Sequence, residues 1–277
     1  MTCIDADGII LSLNKQDDRI FYLPELIKKI NLYLNVPMDE KKADIVRRLT
    51  GAILKGHDPE MVILFGSTAR GDADEFSDID ILVIMDDDNP DATAQKIMAD
   101  TDQVDTEKDI KVITPDEYYT QKDIPGTILF PILNEGTVVY KKTTFNTEII
   151  PIKTYEERKR DIIKKEFIEQ AFDFLEQAAA ALENNSMFRF RDYTRFAVIR
   201  ALKAVFVLND IHPPRETDLD LLMEMIDKLH PVVKELKPLI IRLKDFYPYV
   251  DGNVHFDPGE MLGNANDIVC GIKAVVI

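Results

Sequence analysis

The sequence has few residues of the types that build disulfide or zinc frameworks. Only two cysteines occur among its 277 residues, Cys3 and Cys270, near opposite ends of the chain. This excludes a disulfide framework and a cysteine-rich zinc site. The four histidines are scattered, so no histidine-based metal site or catalytic triad is expected. Uninterrupted apolar runs such as "ILVIM" at 81–85 are far shorter than the roughly 20 residues needed to cross a bilayer.

Positive charge is also scarce. Lysine and arginine number 34 against 50 acidic residues, which gives a formal net charge of -16. Affinity for nucleic acid comes largely from lysine and arginine contacts to phosphate, so a nucleic-acid partner is not expected. The first residues, "MTCIDADGII", lack the basic, apolar and small-residue succession of a secretory signal. The chain is therefore expected to be cytoplasmic, with no membrane partner.

The composition that remains is that of an ordinary globular protein, with 45% hydrophobic and 30% charged residues. The length favours two domains. Periodicity predicts α/β structure up to about residue 145 and an all-α bundle beyond it. The expected domains are an N-terminal extension at 1–38, an α/β domain at 39–146 and a helical domain at 147–277.

Individual elements follow from the same patterns. In the α/β part the predicted strands are Met61–Phe65, Ile79–Met85, Asp109–Thr114 and Gly136–Lys142, and the predicted helices are Asp39–Lys55, a piece around Ala92–Asp100 and one starting at 116–119. In the second half, one long helix is predicted over Thr154–Asn184 and others over Phe190–Leu208, Asp218–Leu229, Pro231–Phe246 and Pro258–Val276. In the extension, 8–14 and 19–23 could pair as a hairpin, and 24–34 could form a helix.

Gly66 and Ser67 stand where a predicted strand turns into a helix. A glycine lets the backbone approach a ligand closely, and a serine hydroxyl beside free amides can hold an anion. A simple turn and cap would look the same. Glycine spacing over 66–71 also suits a P-loop, but Asp72 and Ala73 occupy the positions of its lysine and hydroxyl residue, which excludes that motif.

Asp78 and Asp80 supply the chemistry that this turn lacks. Alternate side chains of a strand share a face, so these two carboxylates point the same way while Ile79 and Ile81 point toward a core. Adjacent carboxylates repel, and oxygen ligands of this kind suit magnesium or manganese together with substrate phosphates. The pair therefore predicts a metal site, although each aspartate alone could be an exposed turn residue.

A two-metal site for phosphoryl transfer also needs a third carboxylate. Asp109 is the candidate, because alternation in its strand turns it away from the core and would place it beside Asp80 if the strands are neighbours. Asp105 and Glu107 on the preceding loop are rivals, and Lys111 on the same face could form a surface ion pair with Asp109.

The stretch "GSTARGDADEFSDIDILV" at 66–83 resembles the signature of the DNA polymerase β-like nucleotidyltransferase superfamily, in particular its minimal nucleotidyltransferase branch. The resemblance spans roughly 39–142 and includes "DPEMVILFGS" and "ILNEGTVVYKK". It implies a mixed sheet with flanking helices, terminal phosphates of ATP or another nucleoside triphosphate held by Gly66 and Ser67, and two magnesium ions held by Asp78 and Asp80. Asp109 would match the third carboxylate. Arg70 would contact phosphate, unless it pairs with Asp72 or Asp74.

The helical half resembles the HEPN domains that accompany minimal nucleotidyltransferases, on "PPRETDLDLLMEM" and "FYPYVDG". Ribonucleases of that family carry an arginine four to six residues before a histidine, and His212, His230 and His255 have none there. The resemblance therefore implies a substrate-binding or dimerising domain rather than a ribonuclease, with a homodimer as one outcome.

Two functions follow for the whole chain. The first is a magnesium-dependent nucleotidyltransferase that moves AMP from ATP to a hydroxyl of a small molecule or a protein. The alternative is an antitoxin-like or regulatory binding protein that keeps the fold with weak or no catalysis. The cost of keeping two adjacent carboxylates without a cation favours the enzyme.

Overall fold

The chain forms two compact units in a computed structural model that describes residues 2–4, 10–12, 40–74, 77–215, 217–245 and 257–277. Described residues within Met1–Pro115 and Glu135–Thr147 make up the first unit, and those within Asp116–Asn134 and Glu148–Ile277 make up the second. The predicted boundaries after residues 38 and 146 stay predictions. Of the helices described, none has the length and apolarity to cross a membrane.

The first unit is built on a four-stranded mixed sheet. Before it, β1 (Thr2–Ile4) pairs antiparallel with β2 (Ile10–Ser12). Four strands form the sheet in the order β5-β4-β3-β6. Their bounds are β3 (Met61–Phe65), β4 (Ile79–Ile84), β5 (Lys108–Ile113) and β6 (Thr137–Lys141). Strand β3 runs antiparallel to β4 and β6, whereas β4 and β5 are parallel, which confirms the expected mixed sheet.

One face of this sheet packs on amphipathic helices. Helix α1 (Glu40–Gly56) buries Val46, Leu49 and Ile53 at helical spacing. They join a single apolar cluster with alternate residues of the strands, namely Val62, Leu64, Ile79, Ile81, Val83, Ile110 and Val112. Asp109 and Lys111, between these apolar positions, are exposed. The core-facing orientation predicted for these residues of β4 and β5 is therefore confirmed, and Leu82 and Ile84 of β4 are buried as well.

Short helices connect the strands. They are α2 (Gly66–Arg70), α3 (Pro90–Asp100), α4 (Pro115–Gln121) and α5 (Leu129–Glu135). Asn89 caps α3, since its side chain accepts a hydrogen bond from the backbone of Ala92. Helix α5 was not expected, because its seven residues include a proline and are too few to show periodicity.

The second unit is helical and has its own core. Its longer helices are α6 (Tyr155–Ile162), α7 (Gln170–Glu183), α8 (Met187–Leu208), α9 (Leu219–Asp227), α10 (Val232–Asp245) and α11 (Pro258–Val276). Helix α8 lies at the centre, where it packs on α7 and α11 and buries Ala201, Leu202 and Val205 completely. The all-α character expected for this half is confirmed.

The long helix predicted over Thr154–Asn184 is continuous but not uniform. A π-helical segment, Ile163–Glu169, joins α6 to α7. Thr154 and Glu157 form a capping box at the start of α6. The suggested strand at 19–23, the suggested helix at 24–34 and "FYPYVDG" at 246–252 lie outside the described residues.

Arg158 of α6 is held within the second unit by a bidentate ion pair. Its two terminal nitrogens donate to the two carboxylate oxygens of Asp123, and one also donates to the backbone carbonyl of Thr120. The Arg158 side chain is only 6% exposed. The hydrogen bonds from Arg158 lower the pKa of Asp123, burial opposes them, and the charge of the guanidinium lowers the pKa further.

The Arg158–Asp123 pair predicts a dependence of stability on acid pH. Because the folded-state pKa of Asp123 is lowered, its contribution is present above the unfolded value of about 3.9 and is lost as pH falls through the folded value. We expect Asp123→Asn to lower the free energy of unfolding at pH 7 and to lose this effect in strong acid. Urea unfolding at several pH values tests this. A deficit that stays constant down to pH 2 would contradict it.

Candidate active site

The three carboxylates singled out in the sequence lie where β4 and β5 begin. Asp78 precedes β4, while Asp80 and Asp109 are the second residues of β4 and β5. The parallel register pairs Asp80 with Asp109, so these side chains are neighbours on one face of the sheet. The backbone amide of Ile79 donates to the carbonyl of Glu107 at 3.0 Å, which fixes the start of this register. Asp109, rather than its rivals Asp105 or Glu107, is therefore the residue beside Asp80.

Asp80 is half-buried, and its surroundings disfavour its negative charge. Burial raises the pKa of the Asp80 carboxyl above its ordinary value. The charge of Asp109 raises it further, then that of Asp78, whereas the positive charge of Arg70 acts in the opposite direction. The three carboxylates thus interact through their charges, and they repel one another.

Gly66 lies directly against the Asp80 carboxylate. Phe65, the last residue of β3, pairs with Asp80, and Gly66 follows with a φ of +70°. A Cβ atom on Gly66 would lie 1.8 Å from Oδ2 of Asp80. Both the left-handed backbone and the missing side chain are therefore required at this position.

The two hydroxyl residues that follow Gly66 in α2, Ser67 and Thr68, differ in their hydrogen bonding. Ser67 is half-buried, and its hydroxyl has no hydrogen-bond partner among the described residues. Thr68 is buried, and its hydroxyl donates to the backbone carbonyl of Asp78 at 3.4 Å. Ser67 is thus available to a ligand, while Thr68 ties α2 to the segment that carries Asp78.

Asp74 and Ser77, which precede Asp78 in the chain, make several polar contacts. The Ser77 hydroxyl donates to Oδ1 of Asp74 at 2.7 Å and accepts from the Asp74 amide at 2.9 Å. The Lys42 ammonium, from α1, donates to the Asp74 carbonyl at 2.5 Å. The contact from Lys42 links these residues to α1. Neither Thr68 nor Lys42 was singled out in the sequence, because no spacing rule links them to the residues before β4.

Arg70, the last residue of α2, is paired with two carboxylates. Its Nε donates to Oδ2 of Asp72 at 3.2 Å, and its Nη1 donates to Oε2 of Glu135 at 3.4 Å. The ion pair with Asp72 was one of the alternatives left open by the sequence. Glu135 is an addition that sequence reasoning missed, since the two residues are 65 positions apart.

The donor set suits magnesium, although no preformed cage is present. Among the residues that the structure describes, no three histidine, cysteine, aspartate or glutamate side chains are grouped so that they could hold a metal ion. Asp78, Asp80 and Asp109 offer carboxylate oxygens, which magnesium prefers, and a divalent cation would relieve their repulsion. Their role as metal ligands stays a prediction.

A comparison with known protein families supports the kind of site that these residues suggest. Residues 50–145 match the family "Polymerase beta, Nucleotidyltransferase". The resemblance to nucleotidyltransferases that the sequence suggested is therefore confirmed for this part of the chain, and the match supports the predicted enzyme class, nucleotidyltransferase. The matched residues include β3 to β6 and all six predicted site residues. No sequence among the curated proteins matches significantly.

Two solved structures resemble the chain only distantly. A spectinomycin adenyltransferase from Enterococcus faecialis, solved with ATP and spectinomycin, has 12% sequence identity and a TM-score of 0.42, covering 83% of this chain and 98% of its own. A nucleotidyltransferase-like protein from Exiguobacterium sibiricum has 10% identity and a TM-score of 0.41, covering 84% of this chain and 73% of its own. At these scores neither likeness identifies a substrate for this chain.

The contact of Gly66 with Asp80 predicts that Gly66→Ala is harmful. The left-handed backbone costs a non-glycine residue about 1–2 kcal/mol, and the new methyl group must also displace the Asp80 carboxylate. Urea unfolding should show this loss. Gly51→Ala is the matched control, because Gly51 lies within α1 with no atom near its missing Cβ, and that change should stabilise the protein by about 0.5–1 kcal/mol. Equal stability of the two variants would contradict the prediction.

Burial of Asp80, together with repulsion from Asp109 and Asp78, predicts that Asp80→Asn is stabilising without divalent ions. Since the pKa of Asp80 is raised on folding, its ionised form lowers stability as pH rises through that value. The Tm of the variant at pH 7 should therefore exceed that of the wild type, by about 2–4 °C for each kcal/mol gained in the free energy of unfolding. Added magnesium should raise the Tm of the wild type and not that of the variant.

Differential scanning calorimetry with and without magnesium measures both effects. Asp102→Asn, at an exposed aspartate with no ion pair among the described residues, serves as the control for removing one negative charge. A rise in Tm of the same size in both variants would show that net charge alone is responsible.

Proposed function

We propose that this chain is a magnesium-dependent nucleotidyltransferase that transfers AMP from ATP to a hydroxyl group and releases pyrophosphate. The observation that supports this most is the in-register pairing of Asp80 with Asp109 beside Gly66. It brings two carboxylates next to the turn that carries Gly66 and Ser67. The choice of ATP over other nucleoside triphosphates rests on the family resemblance of the motif.

In this proposal the terminal phosphates of the nucleotide lie over α2. Gly66 has its backbone directly against the Asp80 carboxylate, and the Ser67 hydroxyl is free to donate to a phosphate oxygen. Arg70 would contribute positive charge, which already acts on Asp80. These three residues bind and orient the triphosphate.

Two magnesium ions would be held by Asp78, Asp80 and Asp109. Magnesium, when bound, neutralises charge on the triphosphate and stabilises the attacking and leaving oxygens. The chain contributes carboxylates on two adjacent strands, which cannot move independently of the sheet. Burial of the apolar residues next to them, Ile79 and Ile81 on β4 and Ile110 on β5, keeps these carboxylates in place.

Asp109 is the residue that would take the acceptor's proton. It is exposed, so a bound acceptor can reach it, whereas Asp80 is half-buried against Gly66. The acceptor oxygen forms a bond to the α-phosphorus, the bond from that phosphorus to the bridging oxygen breaks, and pyrophosphate leaves with the bond electrons. The hydroxyl proton passes to the Asp109 carboxylate.

The acceptor is proposed to be a small cationic molecule bearing a hydroxyl. A net charge of -16 attracts cations to the protein surface. A serine or tyrosine hydroxyl of a protein is the other acceptor class that this chemistry allows. The helical half, residues 147–277, is assigned a substrate-binding or dimerising role as part of this proposal.

Isothermal titration with ATP, with and without magnesium, tests the nucleotide site. We expect saturable binding that requires magnesium in the wild type and is absent in an Asp78→Asn, Asp80→Asn double variant, with Asp102→Asn as the control for charge. Asp109→Asn should bind ATP within about threefold of wild type yet lose about 10²–10⁴-fold in transfer from labelled ATP to a responsive acceptor.

A wild type that binds none of the four nucleoside triphosphates would contradict the proposal. The antitoxin-like or regulatory binding protein would then be the better description. Binding of ATP without magnesium dependence would contradict the assigned role of the three carboxylates.

A further inference from the structure

Glu135, the last residue of α5, lies just before the β3–β6 ladder and across from the turn at Gly66 and Ser67. Strand β6 begins at Thr137, which pairs with Leu64 of β3. Since the strands are antiparallel, Glu135 precedes that pair by two residues on one side, and Gly66 follows it by two residues on the other. The backbone of Glu135 is therefore fixed by the sheet close to the start of α2.

The two carboxylates that accept hydrogen bonds from Arg70 differ in how they can restrain its guanidinium. Asp72 is two residues from Arg70 in the chain and directly follows the αL glycine Gly71, so it moves with the same turn. Glu135 approaches from the end of α5, two residues before β6, and accepts from a different nitrogen, Nη1. Only Glu135 can hold the guanidinium at a set position relative to the sheet and to Asp80.

The guanidinium keeps donors free for a ligand. It carries five N–H donors in a rigid fork. Asp72 and Glu135 take Nε and Nη1, and within the described residues Nη2 has no partner. An arginine held on two nitrogens and open on the third can bind a phosphate oxygen without first being ordered.

From this geometry we infer that Glu135 is a positioning residue for nucleotide binding, acting through Arg70. This inference rests on the proposed function, because it takes Arg70 to contact the triphosphate. Glu135 does not touch the nucleotide itself. Its carboxylate restricts the rotamers of Arg70, so that the charge faces the phosphates beside Gly66.

The test is a double-mutant cycle on ATP affinity. The Kd for ATP in magnesium buffer is measured by isothermal titration for the wild type, Glu135→Ala, Arg70→Ala and the double variant. We expect Glu135→Ala to weaken ATP binding about two- to fivefold when Arg70 is present, and to change it little when Arg70 is absent. The cycle cancels the long-range effect of removing one negative charge, which acts in both backgrounds.

Two further measurements separate positioning from stability. The Tm of Glu135→Ala should stay close to that of the wild type, since this glutamate is 49% exposed and the pair is on the surface. Asp102→Asn should leave ATP affinity unchanged. A purely structural role would instead lower the Tm and weaken ATP binding equally with or without Arg70.

Each contrary outcome is distinct. Equal effects of Glu135→Ala in both backgrounds, or tighter ATP binding only when Arg70 is present, would overturn the inference and leave the proposed function standing. If Arg70→Ala bound ATP as tightly as the wild type, the inference would likewise be overturned while the proposed function would stand. Failure of the wild type to bind any nucleoside triphosphate would overturn both.

Discussion

The in-register pairing of β4 with β5 is the constraint on which the site depends. It places Asp80 beside Asp109, and the pairing of Phe65 with Asp80 places Gly66 against the same carboxylate. A slip of one residue would turn Asp80 and Asp109 toward the apolar cluster that α1 covers, and would turn their apolar neighbours away from it. Burial of Ile79, Ile81 and Ile110 prevents that slip. The apolar cluster under the sheet is therefore also what holds three negative charges together.

Holding these charges together works against stability. Burial and like charges raise the pKa of Asp80, which means that its ionised form is disfavoured in the folded protein. Such strain at a fixed position is typical of sites that bind a cation or perform acid–base chemistry. Next to these charges, Thr68 bonds the carbonyl of Asp78, and Lys42 and Ser77 bond Asp74, so the residues before β4 are linked to α2 and α1.

The positive charge beside the three carboxylates, that of Arg70, is also held in position. Arg70 is the cation that acts on Asp80, and it is held by carboxylates from its own turn and from the end of α5. Although the net charge of the chain is -16, a guanidinium held at one position can make the local electrostatic potential more positive there. The second unit is stabilised separately, by a core around α8 and by the Arg158–Asp123 pair.

The sequence by itself determined the strands, most helices and the carboxylate pair, because alternation and helical periodicity are local properties that a few residues reveal. It also identified Gly66 and Ser67 and proposed Asp109 on the condition that two strands were neighbours. Only the tertiary structure met that condition. It also revealed Glu135, the π-helical segment and α5, none of which has a local signature. Contacts such as that of Glu135 with Arg70 depend on where the chain returns after 65 residues, which the register of β6 on β3 decides.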